Sequence, residues 1–484
     1  MVTRFAGLIR VPQPLSRVEL IIAAVAALSL ADMENRGYFS VAAAIALALS
    51  LVAVTAAFWS KEVPGSPRGV WRLAVPALTL TWALGWIAGN PWWLTLAMTL
   101  AALLVVAGGP TPYLMALLAV MAVGWLQEAV GPLAAGSAHI DVVWMVRDGA
   151  LRLLHGLDPY TGVYPSTTPG AHVLPFTYSP ATAILAIPGA WLGDPRYVSL
   201  ALAIICVVAL SALTLRSPQF PSAPQRATVI ALILAVPLLP VLVWFGWTEL
   251  YVLAPFLLWL VWRDSHRGLG VVCLAVAIGA KFTILPVLVP LFLLVPRMRR
   301  EISGAGAGAA ALIYLPFVLW AGPTRFWADT IGFFLHLRPP PGTLSISGAL
   351  TQAGLPAVPL WATVVLLTGL AVGLCYRPPT DLGGLLLRAA VLPFGVFLIS
   401  PWAAFNYWAL VGGVLLAALV TVGAPEAVGC KPTGPGPSSR PERETQKMPP
   451  LPDISRMLRS NANLRLQSSL SRPIKTKPLK VKPS

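Results

Sequence analysis

Apolar positions in this chain arrive in long, nearly unbroken blocks, not in the alternating or one-faced patterns of a soluble fold. The stretches Ser40 to Trp59, Arg196 to Leu215 and Pro356 to Cys375 are apolar on every face, and each is near the roughly 20 residues that cross a bilayer as a helix. A membrane β-barrel would alternate over about 10 residues, which these blocks do not do. A helix satisfies its own backbone hydrogen bonds in hydrocarbon, so the pattern predicts an all-α integral membrane protein. Blocks at 18–33, 40–59, 70–88, 91–107 and 110–128 precede a long polar stretch that ends near Tyr178. Further blocks lie at 196–215, 228–246, 249–262, 269–281, 283–296, 303–320, 356–375, 383–400 and 406–422. The total is about fourteen transmembrane helices. The block 180–192 is too short to cross and reads as a re-entrant or interfacial piece.

The blocks divide the chain into four parts. Residues 1–128 hold the N-terminal group of about five crossings, and 129–195 form an outer loop with an interfacial helix and the short re-entrant segment. Residues 196–423 hold the remaining crossings with a second outer loop at 321–355, and 424–484 form a tail rich in Pro, Ser, Lys and Arg that is expected to be disordered. Short loops rich in Lys and Arg stay cytoplasmic. Arg4, Arg10 and Arg17 therefore place the N-terminus inside. Lys61, Arg68, Arg216, Arg226, Arg263, Arg267, Arg297, Arg299, Arg300, Arg377 and Arg388 then fall on the same side if 180–192 does not cross. Both large polar loops, and the turns at Trp247 to Glu249, Lys281 and Pro401 to Phe405, fall outside. The first block is read as an uncleaved crossing and not a signal peptide, because another membrane segment follows almost at once.

Composition agrees: 57% of the 484 residues are hydrophobic and only 11% charged. The net charge of +16 could suggest nucleic acid, but the basic residues sit in short clusters between apolar blocks and in the tail. That distribution orients a membrane protein beside anionic lipid, and no nucleic-acid partner is expected. Cys206, Cys273, Cys375 and Cys430 have no paired spacing, so neither a disulfide nor a zinc site is expected.

Chemistry concentrates in the first outer loop. Asp141 to His155 has helical periodicity, with Asp141, Asp148, Arg152 and His155 on one face and Val143, Val146, Ala150, Leu153 and Leu154 opposite. Such a helix suits the membrane interface, and Gly156 would end it. From periodicity alone, charges that merely solvate the helix explain the polar face equally well. Next come Gly156-Leu-Asp-Pro-Tyr160, a polar connection containing His172, and Phe176-Thr-Tyr178-Ser-Pro180. A metal reading of His139 with His155 or His172 is weak, since two histidines flanking a carboxylate fix no coordination geometry. No metal is expected. Trp92, Trp93, Trp191, Trp244 and Trp247 suit an aromatic belt at the interface.

An aspartate after a crossing, a helix ending Gly-x-x-Pro-Tyr and an aromatic-x-Tyr-x-Pro entry to an apolar segment resemble the GT-C glycosyltransferases that use lipid-phosphate sugars. The pattern is most similar to glycosyltransferase family 87, of mannosyltransferase and arabinofuranosyltransferase type. Gly246-Trp-Thr-Glu249, Lys281-Phe-Thr-Ile-Leu-Pro286, Ser345, Ser347 and Ser400-Pro401 with Tyr407 agree with it more loosely. The resemblance implies a GT-C-like fold and transfer of a mannose-like hexose or an arabinofuranose. The donor would be a polyprenyl-phosphate sugar and the acceptor a glycolipid or envelope glycan, at the outer face of the cell membrane. It also implies inversion, Asp141 as general base and no cofactor. Asp148 competes for the role of base. Lys281, Arg338, Arg325 and His336 are the outer-side cations that could hold the phosphate. Lys281 stands out because it interrupts a long apolar stretch, where a charge is expensive; its plain alternative is snorkelling to the headgroups. Glu249 would orient a sugar hydroxyl or pair with a cation, and Tyr160, Tyr178 and His155 complete the expected binding residues. A secondary transporter is the alternative from another class. Against it, the carboxylates lie in outer loops and no internal repeat is visible.

Overall fold

The computed structural model describes residues 16–34, 40–60, 92–107, 111–134, 140–166, 173–336, 343–376, 379–400, 403 and 405–424. Four helices come first: α1 (Arg17–Glu34), α2 (Val41–Trp59), α3 (Trp92–Val106) and α4 (Thr111–Ala134). The outer-loop region follows, with α5 (Asp141–Leu154), a 3-10 turn at Pro159–Thr161, strands β1 (Tyr164–Pro165) and β2 (Val173–Leu174), and α6 (Pro180–Trp191). Then come α7 (Arg196–Arg216), α8 (Ala223–Ala235), α9 (Leu238–Phe245), α10 (Leu250–Trp262), α11 (Arg267–Ala280) and α12 (Leu285–Leu294). A long helix runs from α13 (Pro296–Gly308) through a π-helical stretch into α14 (Leu315–Ala321). The short α15 (Pro323–Trp327), α16 (Phe333–His336) and α17 (Ile346–Gln352) lead to α18 (Leu360–Cys375), α19 (Leu382–Ile399) and α20 (Phe405–Val420).

Every apolar block that falls on described residues is helical, as the sequence predicts; block 70–88 and the tail lie outside them. The helices begin where local chemistry starts them. Ser16 and Glu19 close a reciprocal cap on α1, Ser222 and Gln225 do so on α8, and Asp381 accepts from the Gly384 N–H at the start of α19. One departure from all-α is the antiparallel ladder of β1 and β2, which pairs Tyr164 with Leu174 and Pro165 with Val173.

Among the described residues, six helices are long and apolar enough to cross a membrane: Val41–Trp59, Thr111–Gly131, Arg196–Arg216, Ala223–Phe245, Pro296–Ala321 and Leu382–Ile399. Counting α11 with the helix beyond it, a pair bent by 116°, as one broken span gives seven. The expected total of fourteen is thus not confirmed among the described residues. The physical reason is length. Helices such as α3 and α10, with 15 and 13 residues, rise only about 20–23 Å at 1.5 Å per residue, short of a hydrocarbon core of about 30 Å. The 12 residues of α6 fall shorter still, in keeping with a segment that does not cross.

Basic side chains gather at one end of the bundle. Arg216 Nη1 donates to the Val261 carbonyl (2.9 Å), and Arg297 Nη2 to the Arg263 carbonyl (3.2 Å). Buried Glu301 accepts from Trp259 Nε1 (3.0 Å) and pairs with Arg267 (3.2 Å). Arg17 lies 3.8 Å from Asp381, which also accepts from the Gly423 N–H (2.9 Å). Arg263 follows the C-terminus of α10 and Glu249 precedes its N-terminus, so the basic end and the Glu249 end are opposite ends of one helix.

Candidate active site

Asp141 opens α5, where the helix dipole favours a carboxylate. Its Oδ2 accepts from Ser166 Oγ at 3.2 Å. The predicted helix and its stop are both observed: α5 ends at Leu154, and Gly156 takes the left-handed φ of +71° that continues the chain away from it. The buried face is Val142, Val143, Met145, Val146, Gly149 and Ala150. It is rotated from the expected one, leaving Leu154 half-exposed. Two glycines allow this close seating. A Cβ on Gly149 would lie 2.5 Å from the Phe176 ring, and one on Gly246, at φ +63°, would lie 2.5 Å from Val143.

The Gly-x-x-Pro-Tyr segment works as a structural knot. Asp158 Oδ1 accepts from the Tyr160 N–H (2.9 Å), the Tyr160 hydroxyl donates to the Tyr178 carbonyl (2.8 Å), and the Tyr164 hydroxyl donates to the Pro159 carbonyl (2.6 Å). The Tyr160 ring packs edge-on against Phe176 (5.4 Å between centroids) and tilted against Phe326 (4.8 Å). Burial holds the Tyr160 and Tyr164 phenols well above their ordinary value. Tyr160 is thus engaged in fixing Tyr178. Tyr178 is itself held high, by burial first and then by the carboxylates of Asp141 and Glu249.

Lys281 sits at the break between α11 and the 3-10 turn Phe282–Ile284, in extended backbone, at the point the sequence marks. Its ammonium is paired with Glu249 Oε1 and donates to Thr248 Oγ1 (3.1 Å). It lies 4.7 Å from the centroid of the Tyr407 ring and 6.0 Å from that of Tyr178. Asn406 Nδ2 donates to the same Glu249 oxygen at 2.8 Å. Glu249 is fully buried and Asn406 is 1% exposed; among the described residues, Glu249 Oε2 and Asn406 Oδ1 have no hydrogen-bond partner.

Tyr178, on the approach to α6, thus links groups from three other elements: it feels the carboxylates of Asp141 on α5 and Glu249 at the start of α10, and its ring centroid lies 6.0 Å from Lys281 at the α11 break. Several other expected residues are engaged with partners of their own. Asp148 pairs with its neighbour Arg147 (2.8 Å), and exposed His155 donates from Nδ1 to the Leu151 carbonyl (2.7 Å) in the tautomer that satisfies it. Arg325 pairs with Asp329 at 3.5 Å, one turn on. His336 ends α16, while Arg338, His139 and His172 lie outside the described residues. Ser345 caps α17, and Ser347 Oγ donates to the Ile399 carbonyl. No group of three metal-binding side chains forms among the described residues. Asn406 escapes the sequence reading because it stands 157 positions from Glu249. The signal that could have found it is an amide inside an apolar block.

The stretch from Phe176 to the break after α19 carries Tyr178, Glu249 and Lys281. It matches the model of glycosyltransferase family 87. The match covers residues 176–401, so it takes in those three residues and Arg325, while Asp141 lies 35 residues before its start and Asn406 five residues after its end. The resemblance seen in the sequence runs farther, from Asp141 to Tyr407. The match to family 87 over this core supports a glycosyltransferase. No curated protein and no solved structure matches the chain.

Proposed function

We propose that this protein moves a sugar, a mannose-like hexose or an arabinofuranose, from a polyprenyl-phosphate donor to a lipid or envelope-glycan acceptor at the outer face of the cell membrane. The observation that carries the reading is that the same tyrosine, Tyr178, feels the charge of a carboxylate, Asp141, and has an ammonium, Lys281, 6.0 Å from its ring centroid. Transfer needs both kinds of group. The acceptor oxygen attacks the anomeric carbon while Asp141 takes its proton; the bond from that carbon to the phosphate oxygen breaks, and the electron pair leaves with the phosphate. A single displacement inverts the anomeric centre. Lys281 would stabilise the charge that builds on the leaving phosphate, a role suited to a preorganised cation in a water-poor site. No cofactor is needed for these steps.

The test is transfer of label from a panel of radiolabelled polyprenyl-phosphate sugars into new glycolipid, using purified protein with a lipid extract. Asp141→Asn should lower transfer by roughly 10²- to 10⁴-fold, the range of general-base catalysis. Full activity in that variant would remove Asp141 from the role. The broken helix pair at Lys281 is also a device of secondary transporters. Label that crosses a sealed vesicle without entering a new glycolipid would favour that second reading.

A further inference from the structure

The buried pair of acceptors beside Lys281 has a chemistry of its own. Glu249 Oε1 is occupied by two donors, the Lys281 ammonium and the Asn406 amide, whereas Glu249 Oε2 and Asn406 Oδ1 have no donor among the described residues. The carboxylate and amide are held side by side by the hydrogen bond between them, so their two unpartnered oxygens flank one contact. Both side chains are almost wholly removed from solvent, where an acceptor without a donor is costly. Both orphan atoms are acceptors, which narrows what could satisfy them.

Charge narrows it further. Glu249 is already neutralised by Lys281, so a cation placed here gains little, and a phosphate oxygen would face two acceptors it cannot satisfy. The complement is a neutral group with two adjacent donors. Vicinal hydroxyls on a sugar ring supply that arrangement, and the Tyr407 and Tyr178 rings next to Lys281 offer aromatic faces for the ring's C–H edges.

We infer that Glu249 and Asn406 form a fork that recognises two neighbouring hydroxyls of the transferred sugar, while Lys281, tethered to the same carboxylate, faces the donor's phosphate. The inference rests on the glycosyl-donor reading above and adds Asn406 as a specificity-determining residue. It also explains why the ion pair is asymmetric: one carboxylate oxygen holds the cation and the amide, and the other is left for substrate.

The experiment measures binding of polyprenyl phosphate, with and without an attached mannose or arabinofuranose, to the full chain in detergent. Wild type should bind at least one of the two sugar-bearing lipids at least tenfold more tightly than the bare lipid phosphate. Asn406→Leu should erase that sugar-dependent increment. Asn406→Ser, which removes the amide with less steric change, should do the same, and a melting temperature checks that each variant is folded. An increment that survives in folded Asn406→Leu or Asn406→Ser overturns the fork. If bare and sugar-bearing lipids all fail to bind wild type, the lipid-phosphate reading falls by itself. The fork is then tested with methyl mannoside and methyl arabinofuranoside at millimolar concentration. Binding lost in the Asn406 variants supports it; no binding, or binding unchanged by substitution, overturns it. A wild type that binds bare and sugar-bearing lipids equally shows that the two oxygens hold water only, and the fork is rejected.

Discussion

Removing the Lys281 ammonium leaves the Glu249 carboxylate buried without a counter-ion. Breaking a buried pair from one side typically destabilises by about 3–5 kcal/mol, whereas replacing both partners with apolar groups is often nearly neutral. Lys281→Met should therefore lower the melting temperature sharply, and Lys281→Met with Glu249→Leu should recover most of the loss. Transfer activity should be absent in both. Activity in the double variant would show that the pair is structural only. Asp329 offers a test of a different kind. Burial raises its carboxyl above the ordinary carboxylate value, with Arg325 opposing and Asp158 adding to the rise. A group whose folded pKa lies above its unfolded one favours the fold below the unfolded value, about 3.9, and that contribution is lost as pH rises through the folded pKa. Melting temperature should therefore fall more steeply from acid toward neutral pH in wild type than in Asp329→Asn. Parallel profiles would show that Asp329 is not coupled to folding. Single residues such as Lys281 were legible in the sequence because a charge in an apolar run is conspicuous. The Asn406 partnership was not, because contacts between distant apolar blocks leave no local pattern.

At the scale of elements, the docking of α5 is the sensitive point. Periodicity announced the helix, its Asp141 start and its Gly156 stop, because 3.6-residue spacing and left-handed glycine are local properties. The rotation of its buried face was not announced, since that depends on Phe176 and Gly246 from elsewhere in the chain. Gly246→Ala adds a methyl group against Val143 and strains a left-handed residue at once. The helix carrying Asp141 must then shift. Displacements near 1 Å can cost about 100-fold in rate, so transfer should fall at least tenfold while the protein still folds. The reading is checked by kcat together with melting temperature; unchanged kcat would mean that α5 is not held by this contact. The expected fourteen spans are not confirmed among the described residues for a reason at the same scale. Blocks of apolar residues are visible in sequence, but the rise of helices such as α10 falls short of a full span.

For the whole molecule, the axis of α10 joins an arginine-rich end to the end that holds Glu249 and Lys281. Arginine-rich ends face the cytoplasm by the usual bias, which would set the candidate site at the outer face. In a background with the native cysteines replaced, a cysteine at exposed position 155 should react with a membrane-impermeant thiol reagent in intact cells. A cysteine at 267 should react only after permeabilisation. The reverse pattern would turn the proposed site toward the cytoplasm.

The bond between Glu249 and Asn406 also governs when the molecule can be finished. Chains emerge from the ribosome N-terminus first, so Glu249 and Lys281 are made well before Asn406. The second loop waits on the same late segment, since the Leu344 N–H donates to the Ala403 carbonyl and Ser347 to Ile399. Any product ending before α20 holds its ion pair without the amide that shares it. Site assembly therefore waits on α20, and the ion pair stays without its amide until that helix is delivered.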